Sequence, residues 1–400
     1  MNTASLVPVE ASIALLIAMI RQAGGVPNQS LPSSEDWGNV TRQALEHGLG
    51  PLLHRRLVDS SGSIAVPPAI FDTLRRSSLT NLAHNLRLLH ACARAISLLQ
   101  IRDIPAIVLK GAHLGEIVYE NPGLRPMADI DIMVRKKDFS AAEQILGDND
   151  LLPETSSTPV DLRWMLDTSL RAELIDLDSV WERARQARIG NAGALVLAPE
   201  DLILHLCVHI SSHHLLGPSG LLGLVDLRTC IRHYQRDLDW EALVARARLW
   251  QCTRPTALCL TLSRDLFWAD LPEGVLSRLT PEGIAPEVTE WARSRILSAP
   301  HPVPDVSPGF WHLVHPGLPI KKKLAAAFRM IFPTKRYALL QKPTRATANR
   351  KYLADLFHRT NRLGTYGALL RRVAARDKSL AEQALRECRN REMKHWMEAR

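Results

Sequence analysis

No window of the 400-residue sequence approaches the ~18 consecutive apolar residues that a membrane-spanning helix requires. The nearest stretch, ASIALLIAMI, is short, follows Glu10 and has neither a basic leader nor a small-residue cleavage pattern, so it reads as a core helix. Cysteine is sparse and scattered. Cys92, Cys207, Cys230, Cys252, Cys259 and Cys388 form no C-x-x-C pair and lie in apolar contexts such as LHLCVH and TALCLTL. That excludes a zinc knuckle or a disulfide framework and points to reduced thiols in a cytoplasmic protein. No G-x-S-x-G occurs, which removes the serine-hydrolase elbow. His205, His209 and His213 stand at i, i+4 and i+8, yet no H-E-x-x-H accompanies them. They read as a row of core or cleft-lining histidines, with His209 placed to face a nucleotide or its acceptor. Neither an internal repeat nor a low-complexity segment is present.

What is present suits a soluble globular chain with a sizeable core: 46% of residues are hydrophobic and 23% charged. The length fits two or three packed units. The net charge of +9 is uneven, because positions 316–400 carry 21 Lys and Arg against 6 Asp and Glu, leaving the rest of the chain acidic. This basic tail suits an anionic partner, and equally a solvated helical face. Its IKKKLAAAFRMIFPTKR segment could lie on an anionic membrane or track a phosphate backbone, although such stretches more often pack on their own protein with the cationic stems snorkelling.

Apolar periodicity of helical type fills residues 1–100, including Leu82, Leu86, Leu89, Cys92 and Ile96. The period changes at Ile104. IPAIVLKG is a short β-branched run closed by Gly111, AHLGEIVYE reads as a helix, and NPGLRP is a loop. ADIDIMV then alternates, with Asp129 and Asp131 on one face and Ile130 and Ile132 on the other. KKDFSAAEQIL and DLRWMLDTSLR read as helices, and AELIDLDSVW as a further alternating strand that carries Asp176 and Asp178. Strand, helix, strand, helix, strand makes residues 101–185 an α/β core. Helical patterns return over 186–300, with Pro199, Glu200 and Asp201 as a first turn, and the basic helical region occupies 301–400.

Two carboxylates two residues apart in a buried strand are unfavourable unless cations face them. Asp129 and Asp131, with Asp176 from a neighbouring strand, have the oxygen donors and the same-face geometry for Mg²⁺ or Mn²⁺. Gly111 would let backbone N–H groups approach a phosphate, and Lys110 and Arg125 are candidate holders of phosphate oxygens, or ion-pair partners of the acids.

A strand ending in Gly, a helix and a strand bearing Asp-x-Asp resemble the DNA polymerase beta-type nucleotidyltransferase superfamily. More narrowly, VLKGAHL, LRPMADIDIMV, IDLDSVW and APEDLILHLCVH resemble the bacterial uncharacterised nucleotidyltransferase family, over most of residues 1–300. The resemblance implies an α+β or α/β core, a small mixed sheet with helices, flanked by helical regions. It implies a metal-dependent enzyme of the bacterial cytoplasm that moves a nucleoside monophosphate from an NTP such as ATP to a small-molecule, peptide or saccharide acceptor. Asp129 and Asp131 would be the metal pair and Asp176 the third acid, with Lys110-Gly111 where the superfamily has Gly-Ser. The chain has Asp178 where the family commonly has His, so Asp178 and Glu173 compete with Asp176 for the third position. The missing serine leaves a second reading, an inactive nucleotidyltransferase-like adaptor or antitoxin-like regulator that binds RNA or protein.

Overall fold

The computed structural model describes residues 9–21, 34–60, 64–119, 121–153, 160–166, 174–217, 219–298 and 378–398, with the single positions 319 and 321. Contacts divide the chain into Met1–Pro300 and His301–Arg400. In the second unit the described element is one helix, Lys378–Glu398. The IKKKLAAAFRMIFPTKR segment, apart from Lys321, lies outside the described residues, as does Glu173.

The first unit is a mixed sheet among helices. Strands β1 (Ala106–Val108), β2 (Ile130–Val134), β3 (Val160–Arg163), β4 (Arg185–Ile189) and β5 (Ala192–Val196) are ordered β3-β2-β1-β5-β4. The β1 pairing is antiparallel with β2 and parallel with β5, while β2 and β3 run parallel and β4 and β5 antiparallel. Helices α1 (Val9–Arg21), α2 (Ser34–Glu46), α3 (Gly50–Asp59) and α4 (Pro68–Gln100) precede the sheet. Between β1 and β2, α5 (Lys110–His113) widens into a π-turn over Leu114–Val118, and α6 (Phe139–Gly147) follows β2.

One sheet face is apolar. Ile130, Ile132 and Val134 of β2, Val160 of β3 and Ala106 and Val108 of β1 pack on Leu88, Cys92, Ile96 and Leu99 of α4 and on Phe139, Ala142 and Leu146 of α6. Burying this stripe at ~25 cal/mol per Å² of apolar surface is what holds a 33-residue helix against short strands. The period of two leaves Asp131, Met133, Asp161 and Arg163 on the opposite face. Polar residues of α4 also fix the entry to β2: Asn81 donates to the Gly123 carbonyl at 2.8 Å, and buried Asn85 donates to the carbonyls of Pro122 and Arg125.

After the sheet come α8 (Pro199–Val208), α9 (Gly220–His233), α10 (Trp240–Leu249), α11 (Thr253–Phe267), α12 (Val275–Leu279) and α13 (Pro286–Leu297). Pro199 opens α8 as its spacing predicts. The two acids that follow are buried and paired: Arg246 reaches Glu200 at 2.9 Å and Asp201 at 3.2 Å, and Arg183 reaches Asp201 at 3.0 Å. All six cysteines are buried, and none forms a disulfide.

Three segments differ from their sequence patterns. DLRWML is not a helix at its start, because Val160–Arg163 forms β3, whose Val160 and Leu162 face the core while Asp161 and Arg163 face away. IDLDSVW is not a strand: Asp176 caps α7 (Leu177–Arg183), accepting from Ser179 Oγ at 2.6 Å and from the Ser179 N–H. Four alternating residues match a strand and an N-cap equally well, and Asp-x-x-Ser supplies the cap. The third is the start of 186–300, expected to be helical, where the β4–β5 hairpin, with Gly190 in its turn at φ 57°, completes the sheet.

Candidate active site

At the start of β2, Asp129 and Asp131 stand on the face away from α4, and the parallel register sets Asp161 of β3 beside Asp131. One oxygen from each of Asp129, Asp131 and Asp161 lies within 4.8 Å of the others. Asp131 is 4% exposed, whereas Asp129 is open to solvent. Two cations enter the cluster. Lys110 Nζ lies 3.1 Å from Asp131 Oδ1, and Arg163 Nη2 lies 2.9 Å from the same oxygen and also pairs with Asp161.

Lys110 gets there because β1 ends at Val108 and the Leu109 N–H bonds to the Asp131 carbonyl at 3.0 Å, which keeps the chain against β2 as it turns. The turn itself is made at Lys110, with φ 37°, a left-handed value that a lysine seldom adopts. The ion pair with Asp131, in a nearly dry setting, fixes the side chain that this turn directs inward. Gly111 follows because a Cβ there would come within 3.2 Å of Met127 Cγ and 3.3 Å of Arg125 Nη1. Its missing side chain lets α5 pack against the segment that leads into β2.

Electrostatics follow from this arrangement. Partial burial on its inner side, then repulsion from Asp131, raises the Asp129 pKa above the usual carboxylate value, with Lys110 acting against the rise. Burial lowers the Lys110 pKa, with Asp131 opposing. Three carboxylates meet two side-chain cations, which leaves one negative charge and a hard oxygen donor set at the exposed Asp129 edge. Those residues fit a divalent cation.

The sequence-derived candidates separate accordingly. Asp129, Asp131 and Lys110 converge, and Gly111 adjoins them. Asp176 is exposed on the N-cap of α7, where the Ser179 hydrogen bonds lower its pKa, and Asp178 pairs with Arg135 at 2.8 Å. Arg125 is turned to Asp226 of α9, with Nε at 3.0 Å and Nη2 at 2.9 Å from its oxygens, and its Nη1 donates to the Pro126 carbonyl. The Tyr119 hydroxyl donates to the same Asp226 at 2.8 Å. His205 and His209 stack at 6.3 Å between ring centroids, and His209 bonds His214 at 2.9 Å. Sequence reading missed Asp161 and Arg163; the signal was the alternation of Val160, Asp161, Leu162 and Arg163, which a helical reading of the following residues obscured.

A strand running through a Lys-Gly turn into a helix, then an antiparallel strand bearing Asp-x-Asp in a small mixed sheet flanked by helices, defines a nucleotidyltransferase core. The chain belongs to the family described as uncharacterised nucleotidyltransferase, whose model matches residues 33–268. That span includes α2 through α11, so the helices on both sides of the sheet belong to the family's common structure. No curated protein and no solved structure is significantly similar to the chain. Membership supports a transferase acting on a nucleotide, and the acid cluster is consistent with metal binding. Among the described residues no helix is long and apolar enough to cross a membrane.

Proposed function

We propose that the chain moves a nucleoside monophosphate from an NTP to a hydroxyl of a small-molecule, peptide or saccharide acceptor, with Mg²⁺ or Mn²⁺ held by Asp129, Asp131 and Asp161. The observation that carries this reading is the convergence of the three carboxylates on the sheet face away from α4. In the reaction the acceptor oxygen forms a bond to the α-phosphorus, the bond to the bridging oxygen breaks, pyrophosphate leaves and the hydroxyl proton is lost. A bound divalent cation would supply charge for the phosphate oxygens and lower the pKa of the attacking hydroxyl. Arg163 and Lys110 hold Asp131 in one orientation, and their positive charge favours an approaching triphosphate. Gly111 keeps the turn close enough for Lys110 to remain in place.

Titration calorimetry of ATP, CTP, GTP and UTP with Mg²⁺, on wild type and on an Asp129→Asn/Asp131→Asn variant, tests this reading. Metal-dependent binding of a nucleotide that disappears in the variant supports it and identifies the donor. Absence of binding by all four to the wild type overturns it.

The ion pairs favour a second reading. Lys110 and Arg163 already satisfy Asp131, as they would in a nucleotidyltransferase-like adaptor without turnover. The open Asp129 edge favours the enzyme.

A further inference from the structure

Away from the acid cluster, helices α1, α3 and α9 and the chain after α5 border a half-open recess of about 700 Å³. The volume lies within the ~300–1,000 Å³ usual for small-molecule sites. Four guanidinium groups line it, those of Arg55, Arg56, Arg228 and Arg232. Among its described lining residues the one carboxylate is Asp59, which Arg55 holds at 2.9 Å. Arg228 is half-buried and gives one N–H to the Arg21 carbonyl at 3.0 Å. Burial, then repulsion from Arg232 and Arg56, lowers its pKa. Arg228 and Arg232, one turn apart on α9, bring like charges into a partly dry recess, which an anion would relieve, and the planar fork of arginine matches phosphate oxygens. Leu52, Val118 and Val225 provide an apolar wall beside the cationic one.

We infer that this cavity is a binding site for a small oligophosphate, inorganic or esterified. The site shares no residue with Asp129, Asp131, Asp161 or Lys110. It therefore stands or falls independently of the proposed transfer reaction.

The test is calorimetry on the full chain in chelator, with tripolyphosphate, with ATP and with a short oligoribonucleotide. The proteins compared are wild type, Arg232→Gln, Arg228→Gln/Arg232→Gln and Asp131→Asn. Arg232 is exposed, so its substitution should leave the fold intact. Metal-free binding of one equivalent of tripolyphosphate or ATP is expected. It should weaken roughly tenfold or more in the arginine variants, as loss of a charged hydrogen bond implies, and stay unchanged in Asp131→Asn. Tighter binding of ATP than of tripolyphosphate would assign the apolar wall to the organic part of an ester; equal binding would point to the inorganic chain. Absence of metal-free binding overturns the inference, as does binding that survives Arg228→Gln/Arg232→Gln but is lost in Asp131→Asn. Arginine-dependent binding of the oligoribonucleotide well above that of ATP would replace the small ligand with a nucleic-acid strand and equally overturn it.

Discussion

Lys110 Nζ lies 3.1 Å from Asp131 Oδ1, on the oxygen that Arg163 also approaches. The lysine of the turn after β1 therefore sits where an added cation would compete for the same carboxylate. Removing it has two opposite consequences. In Lys110→Met the metal-free protein should lose roughly 1–3 kcal/mol, less than the ~3–5 kcal/mol of a wholly abandoned buried carboxylate, because Arg163 remains. Saturating Mg²⁺ or Mn²⁺ should then raise the melting temperature of Lys110→Met by more than that of wild type, since the metal meets less competition. Thermal unfolding with and without metal measures both. An equal or smaller metal-induced rise in the variant would show that Lys110 and the metal do not share Asp131.

Asp161→Asn and Asp176→Ala separate the two candidates for the third carboxylate. Asp161 lies among the clustered oxygens, so its loss should weaken Mn²⁺ binding by roughly ten- to hundredfold. Asp176 caps α7, so its loss should lower thermal stability slightly and leave Mn²⁺ affinity unchanged. Metal binding followed by electron paramagnetic resonance distinguishes them. Loss of affinity in Asp176→Ala alone would restore the assignment made from sequence.

That assignment shows what the sequence could carry. The Ile130-Asp131-Ile132 alternation announces a strand with one apolar face and one that carries a carboxylate, and β2 has that form. The Lys-Gly turn is equally visible, because a glycine after a β-branched run marks a change of direction. The third carboxylate was hidden because its position depends on which strand lies beside β2. The register of Asp131 with Asp161 is a tertiary fact, and short alternations such as VDLR and IDLD look alike until the sheet selects one. Asp226 was hidden for the same reason, 101 residues from the arginine it holds.

Arg125 and Asp226 join the sheet's loop to α9 by a bidentate contact, with 2% of the Asp226 side chain exposed. Arg125→Met should destabilise by about 3–5 kcal/mol because Asp226 is left buried with Tyr119 as its remaining partner. Arg125→Met/Asp226→Leu should recover much of that loss. Urea unfolding of the single and double variants decides it. A double variant no more stable than Arg125→Met would mean that the guanidinium acts through its packing near Gly111 rather than through its charge.

His113 is wholly buried on α5, with Nε2 at 3.0 Å from the Tyr234 hydroxyl. Its Nδ1 has no hydrogen-bond partner among the described residues, so the charged ring would bury an unpaired N–H. Burial first, then repulsion from His233, pulls its pKa from 6.5 down to about 3. The folded state therefore declines a proton that the unfolded chain accepts, and stability falls as pH drops from 6.5 toward 3. From this group alone the loss at pH 5 relative to pH 8 is about 2 kcal/mol. In His113→Gln that part of the pH dependence should vanish, while carboxylates common to both proteins cancel in the comparison. Parallel stability profiles of wild type and His113→Gln between pH 5 and 8 would show that His113 takes up its proton in the fold as readily as in the unfolded chain, and that burial does not hold the ring neutral.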